Sequence, residues 1–516
     1  MPRRFFGPNQ GALWIGGLIL VGLWIFLTAV STGIDWAELP ESWRAGFGYA
    51  VDNDKMPTAT FLAVHFLATT LVGVAIWRSC RVRALPGSGL ILFFAIAMRL
   101  VAMFGEPIHE SDFYRYIWDG ESALAGVNPY RFEPGALILQ ETGTTKPFSD
   151  PNSEVEWKGR VFSPDELSDL NRLAALRDLN PVWFDRISHK AVPTIYPPIA
   201  QLVFICSAGA FGFSVIGLKV VVLLFDLGIV LLLISILKRL GRNPAWAILY
   251  AWHPLVVKEF SNSAHYDAVP VFFCVLALWL VVSRPDSVRR AALIGFVLGL
   301  GVLAKYFAIL LLPVLLWNRR FYRRLWIGVL TFAATFFLGF LPFALWSDVG
   351  WARLFDGLRI YGEHWQYNPG VFALFQHGLE LAGDGESFRH AGWACAAVLC
   401  AIVAWLTLRS RASVPEKCFA AMGALFVLSP TGFPWYLCWA LAFLPFRPRW
   451  SWLLLSLLLP LNYLDFKSED AAPLAFAQYG GFYVLSGLIW IVFAICWIVE
   501  NARCKSHCLS GRTASR

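Results

Sequence analysis

Between His109 and Gly120 the chain crowds one histidine, three acids and an arginine among aromatic residues: His109-Glu110-Ser111-Asp112-Phe113-Tyr114-Arg115-Tyr116-Ile117-Trp118-Asp119-Gly120. A carboxylate at a membrane surface suits a general base that takes a proton from a sugar hydroxyl. Glu110 and Asp112 would face one side of an extended loop, but on a helix they would diverge by about 200°. The structural reading is an N-cap: Ser111 or Asp112 would cap a helix over 113–124, with Asp119 and Glu121 on its solvated face. Arg115 lies one turn after Asp112, so it could pair with it or bind a phosphate. His109 completes the set as a further substrate-binding candidate.

Later stretches add groups of the same kind. Lys258-Glu259 and His265-Tyr266-Asp267 fall in one short turn between apolar runs. The lysine and glutamate could simply pair, while His265 and Asp267 could contact a substrate or sit in a solvated turn. Lys305 interrupts an apolar run at its middle, where an unpaired lysine is expensive. A phosphate is a natural partner for it, because lysine acts as a compact point charge. Glu363, His364 and Trp365 offer hydrogen bonds beside an aromatic face able to stack on a sugar. Tyr196 precedes Pro197-Pro198 and Tyr436 follows Pro434 by two residues, at positions where interfacial aromatics are ordinary. No Gly-rich nucleotide loop of the Walker type is present. Glu110 and Asp112 could hold a divalent cation, but two acids are too few to argue for one.

The elements that must position these residues are membrane helices. The chain has 516 residues, 57% of them hydrophobic and only 15% charged, with mean hydropathy +0.57. Soluble domains carry about 25% charged residues. The formal charge of +8 comes from short basic clusters between apolar runs, not from one continuous face, which argues against nucleic-acid binding. The long polar loops contain no cysteine, so no disulfide framework is expected.

Fourteen apolar runs approach the spanning length of about 20 residues. They lie near 12–31, 57–77, 88–104, 215–238, 243–259, 267–284, 291–304, 305–317, 325–345, 391–408, 417–431, 433–446, 450–464 and 481–499. The first follows Arg3 and Arg4 without a cleavage box and is read as a retained helix. Basic clusters such as Arg78/Arg81/Arg83, Lys238/Arg239/Arg242, Arg284/Arg289/Arg290 and Arg319/Arg320/Arg323/Arg324 all fall on one side of the membrane when the spans alternate. That side is then cytoplasmic, with both termini. The count requires 196–211, opened by Pro197-Pro198, to be an interfacial or re-entrant helix and not a span. The expected organisation is one membrane domain over 1–499, with a large outer loop at 105–213, a second at 346–390, and a disordered cytoplasmic tail at 500–516.

Taken together, these pieces resemble the GT-C superfamily of polytopic glycosyltransferases that use polyprenyl-phosphate sugars. The likeness is nearest to bacterial mannosyltransferases of the α-1,6 type. It is carried by Asp112-Phe113-Tyr114-Arg115-Tyr116-Ile117-Trp118-Asp119-Gly120 with Asn128-Pro129-Tyr130, then Tyr196-Pro197-Pro198, His265-Tyr266-Asp267, Lys305-Tyr306, Glu363-His364-Trp365 with Asn368, and Pro434-Trp435-Tyr436. The resemblance implies an all-α bundle of about 13–14 transmembrane helices, with interfacial helices in a large first catalytic loop. It also implies that an acid of that loop is the base, a position on which Asp112 falls. Glu110 adds a second acid and leaves the choice between them open. The expected activity is inverting transfer of a hexose, mannose favoured, from a polyprenyl-phosphate carrier to a lipid or glycan acceptor on the periplasmic face of the inner membrane. The alternative is a transporter or flippase of a lipid-linked sugar. Such proteins tend to show internal repeats, and no clear repeat is visible.

Overall fold

The computed structural model describes residues 8–33, 58–81, 87–138, 144–145, 155–156, 162–283, 287–317, 322–464 and 481–513. Arg3, Arg4, Arg83, Arg284, Arg319 and Arg320 of the basic clusters, and the segment 465–480, lie outside them. The chain is an all-α polytopic membrane protein. Its strands among the described residues are one two-residue ladder, Thr144–Thr145 with Val155–Glu156.

Among the described residues six helices are long and apolar enough to cross a membrane: Gly11–Thr32, Thr58–Arg78, Val215–Arg239, Leu325–Asp348, Ser387–Leu408 and Val484–Arg503. Their outward residues are apolar and exposed, among them Leu224 at 67% and Leu338 at 64%. An apolar surface of that kind is stable against lipid, not water. Other expected spans form shorter or broken elements. The run 243–259 becomes Pro244–Ala247, Ile248–Ala251, Pro254–Val256 and a π-helical turn, Val257–Asn262. The runs at 291–304 and 305–317 form Val288–Ala304, a 3-10 turn Tyr306–Leu310 and Leu311–Leu316. Lys305 separates them in extended backbone (φ −161°, ψ 133°). The last helix runs Gly481–Thr513, through most of the segment expected as a disordered tail. Residues 500–505 contain neither glycine nor proline to stop it.

The chain divides into two compact units. The first comprises 1–109, 230–262 and 367–516. One of its cores gathers Phe372, Ala391, Cys395 and Leu428 from the helices Val371–Leu381, Ser387–Leu408 and Val414–Leu428.

The second unit comprises 110–229 and 263–366 and carries most of the polar candidates. Its helix Asp112–Leu124 lies against Pro198–Phe211, which starts with proline at its first turn as expected. Gly120 permits the approach: a Cβ there would stand 2.4 Å from the carbonyl oxygen of Phe204. Beyond Ser163 and Glu166, which form a reciprocal capping box, the helix Pro164–Leu179 supplies Leu170 and Leu173. These pack with Trp118, Val127, Phe132, Phe184 and Ile187. Burying each such side chain contributes roughly 1.5–3 kcal/mol. Asn128 closes the first helix as a turn: its side-chain oxygen accepts from Tyr130 N at 3.1 Å, and its amide donates to Phe343 and Trp346 oxygens.

Candidate active site

The helix Asp112–Leu124 begins one residue earlier than expected and is capped differently. Ser111 occupies the N-cap position but makes no side-chain capping bond. The carboxylate of Glu110 does this work instead, with Oε1 accepting from Ser111 N at 2.9 Å and Asp112 N at 2.7 Å. A negative group there also complements the positive helix terminus. Asp112 is therefore free of the capping role and presents its carboxylate to the interior of the unit.

Around Asp112 the structure brings together residues far apart in sequence. Nε2 of fully buried His265 lies 3.0 Å from Glu110 Oε2. Ligand atoms of Glu110, Asp112 and His265 all fall within 4.8 Å of one another. Asp267 is fully buried and accepts from Lys305 Nζ at 2.7 Å. The same ammonium lies 5.1 Å from the centre of the Tyr266 ring. Burial of His265 and Asp267 rules out the solvated-turn reading of 265–267. The extended backbone at Lys305 places this lysine at the end of the helix Val288–Ala304 instead of on its apolar flank.

A shell of aromatic rings encloses the acids. Tyr116, on the same helix face as Asp112, stacks on Phe204 at 4.8 Å and meets Tyr196 and Tyr266 edge-on. Its hydroxyl donates to Asp112 Oδ2 at 3.2 Å. Burial, and then the charge of Asp112, pushes the Tyr116 phenol well above its ordinary value. Burial and then Asp112 push Tyr196 up as well, and burial and then Asp267 push Tyr266 up, so the three remain protonated donors. Asp112 itself is raised from 3.8 to about 7. Burial is the largest cause and Glu110 the second, while His265, Lys305 and the Tyr116 hydrogen bond oppose them. A carboxyl poised near neutrality is matched to general-base work.

Arg115 does not pair with Asp112. Its Nε donates to Asp119 Oδ1 at 2.9 Å and its Nη1 to Val192 O at 3.0 Å. Positions i−3 and i+4 both lie on the face of Arg115, and Asp119 wins because further partners converge there. Asp119 Oδ2 accepts from Thr194 Oγ1 at 2.5 Å and Gln201 Nε2 at 3.1 Å. Asp119 is thus buried, not solvated as expected, and Arg115 is an internal tie. Its remaining Nη2 is buried with no hydrogen-bond partner among the described residues.

The other candidates lie elsewhere. Glu363 and His364 are exposed at the end of the helix Asp356–His364. Trp365 stacks on Tyr361 at 5.2 Å and meets His189 edge-on at 4.7 Å. His109 and Tyr436 belong to the first unit. There His109 stacks on Tyr463 at 5.6 Å and lies 3.3 Å from Thr58 Oγ1, and Tyr436 stacks on Trp439 at 4.2 Å. Lys258 and Glu259 pair there at 3.1 Å, fully buried, with Tyr463 OH bonded to both. Tyr116, Thr194, Gln201 and His189 were not singled out from sequence. Only Tyr116 carried a signal, four residues after Asp112.

Glu110, Asp112 and His265 are the residues that would hold a divalent cation, a mixed oxygen and nitrogen set suited to zinc or manganese. The histidine is the third donor that the two acids alone lacked.

The family model described as Glycosyltransferase family 87 matches residues 194–430. Curated proteins that match include the undecaprenyl phosphate-alpha-4-amino-4-deoxy-L-arabinose arabinosyl transferases of Pseudomonas aeruginosa strains UCBPP-PA14 and LESB58. Each is 33% identical over 201 residues, covering 36% of this chain and 33% of the relative. The chain thus aligns with about a third of the length of these relatives. No solved structure matches. Both findings agree with the motifs: this chain resembles the GT-C glycosyltransferases that use polyprenyl-phosphate sugars, with its family-level likeness to glycosyltransferase family 87.

Proposed function

We propose that the chain is a membrane glycosyltransferase that moves a sugar from a polyprenyl-phosphate carrier to a hydroxyl of a lipid or glycan acceptor, with inversion. The observation that carries this reading is the gathering of Asp112, Glu110, His265, Asp267 and Lys305 inside an aromatic shell in a membrane protein. Asp112 takes the proton of the acceptor hydroxyl as it attacks the anomeric carbon. The bond to the phosphate oxygen breaks on the opposite face, and the polyprenyl phosphate leaves with the electron pair. Phosphate is a good leaving group, so charge stabilisation by Lys305 and His265 is enough. The basic clusters support an active site on the periplasmic face of the inner membrane, with both termini in the cytoplasm.

The motif likeness favours mannose, whereas the relatives are named for 4-amino-4-deoxy-L-arabinose. A panel of labelled polyprenyl-phosphate sugars, incubated with membranes containing the protein, separates the two. Asp112→Asn is expected to fold and to lose transfer by at least a hundredfold. Full activity in that variant removes Asp112 as the base. Movement of a lipid-linked sugar without glycosidic bond formation would favour the transporter reading.

A further inference from the structure

Four hydrogen bonds lay residues 183–192 along the helix of Asp112. Trp183 Nε1 donates to Tyr114 O at 3.2 Å and Arg186 Nη1 to Tyr114 OH at 2.9 Å. Ser188 and Ser111 share a hydroxyl bond at 3.0 Å, and Arg115 Nη1 holds Val192 O. His189, next to Ser188, adopts the left-handed conformation at φ 53°. A non-glycine residue there is held by its surroundings. Its exposed ring meets Trp365 at 4.7 Å with the planes at 70°, making a corner of one apolar wall and one imidazole.

The helix Asp356–His364 reaches this segment through Gly357. A Cβ at that position would stand 2.5 Å from Pro193 O and 2.6 Å from Thr194 O. The glycine lets Tyr361 and Trp365 come down beside His189. The chain steps from His189 to Ser188, across the hydroxyl bond to Ser111, and on to Asp112. The segment that bears the corner is thus tied to the residue that starts the helix of Asp112.

The corner also lies on a different side of Asp112 from the lysine. At about 100° per residue, Ser111, Tyr114 and Arg115 fall on one flank of the helix, whereas Tyr116 lies nearly in line with Asp112. The first flank carries residues 183–192. Tyr116 meets Tyr266, whose ring lies under Lys305. Inverting displacement needs exactly one nucleophile and one leaving group on opposite faces of the sugar carbon, and two flanks serve that need.

We propose that Trp365 and His189 form the binding corner for the acceptor, a pyranoside whose C–H face stacks on the indole and whose hydroxyls bond the imidazole. This rests on the glycosyl-transfer reading for the word acceptor, but the sugar site itself is tested separately. Aromatic walls with a few polar groups are the usual means of holding a sugar ring.

The test uses the full chain in nanodiscs, with saturation-transfer NMR on methyl α-D-mannopyranoside and methyl β-L-arabinopyranoside. The wild type and Asp112→Asn should both show a saturation-transfer signal on at least one glycoside, and Trp365→Ala should lose that signal. Trp365→Phe and His189→Asn keep the wall and the left-handed turn respectively, and should weaken binding only a few-fold. They decide the matter if Trp365→Ala does not fold. In turnover, Trp365→Ala should raise the acceptor KM at least tenfold and leave the donor KM within twofold. Glycoside binding that depends on Trp365 supports the corner even if no polyprenyl-phosphate sugar is turned over, an outcome that would count against the transferase reading alone. Unchanged glycoside binding in Trp365→Ala, or a rise in donor KM instead of acceptor KM, overturns the proposal.

Discussion

Replacing Glu110 by glutamine separates the two acids that compete for the role of base. The substitution keeps a carbonyl oxygen to accept from Ser111 N and Asp112 N, so the helix start is preserved. It removes a negative charge whose ligand atom lies within 4.8 Å of that of Asp112. At that distance, where an effective dielectric constant runs from about 80 down to about 20, Coulomb's law gives roughly 0.9–3.5 kcal/mol. That corresponds to about 0.6–2.5 pH units on Asp112. The site is part-buried and also faces His265, Lys305, Asp267 and the phenols of Tyr116, Tyr196 and Tyr266, so a fall of about 1–2 units is expected. The sign follows from the charge: without Glu110, ionising Asp112 costs less and its carboxyl, now at about 7, moves down. The acid limb of kcat/KM should therefore shift to lower pH, and the plateau should drop about 3–10-fold because a weaker base transfers protons less well. The assay is initial transfer from the active polyprenyl-phosphate sugar between pH 4.5 and 9, in the wild type and Glu110→Gln. A loss of several hundredfold with the limb unmoved would make Glu110 itself the base. A limb that moves upward would refute the electrostatic reasoning.

Other perturbations have equally definite outcomes. Tyr116→Phe removes the hydroxyl that stabilises ionised Asp112; the acid limb should rise by about half a unit, read in the same pH series. Lys305→Met strips buried Asp267 of the cation at 2.7 Å and should cost about 3 kcal/mol, seen as a lower Tm in nanodiscs. Adding Asp267→Asn should restore much of that Tm without restoring transfer, since the phosphate contact proposed for Lys305 stays lost. Gly120→Ala forces a Cβ to within 2.4 Å of Phe204 O and should destabilise by about 1–3 kcal/mol or more, with a proportional fall in folded yield.

The all-α membrane architecture was legible because long apolar runs report directly on lipid. The convergence of Asp112, His265, Asp267 and Lys305 was legible for a related reason: ionisable groups inside apolar surroundings must find one another or be neutralised. What was hidden depends on tertiary choice. Nothing local says that Arg115 turns forward to Asp119 and not back to Asp112, because Thr194, Gln201 and Val192 decide it from 75–82 residues away. Glu110 as the helix cap was hidden because serine at the N-cap is the commoner device. His189 carried no motif at all; its place comes from the tie between Ser188 and Ser111 and from the gap left by Gly357.

The knot at Asp119 has a consequence for genetics. One carboxylate fastens its own helix, the segment ending at Thr194 and the helix Pro198–Phe211. Such a junction closes late in biogenesis, after all three pieces have emerged and inserted. A lesion there would leave an unassembled loop for surveillance proteases to clear. A screen that scores only colony phenotype would then rank Asp119 beside Asp112 as indispensable. Immunoblots of the two mutant alleles would tell them apart: a vanishing band for one, and a silent but abundant protein for the other.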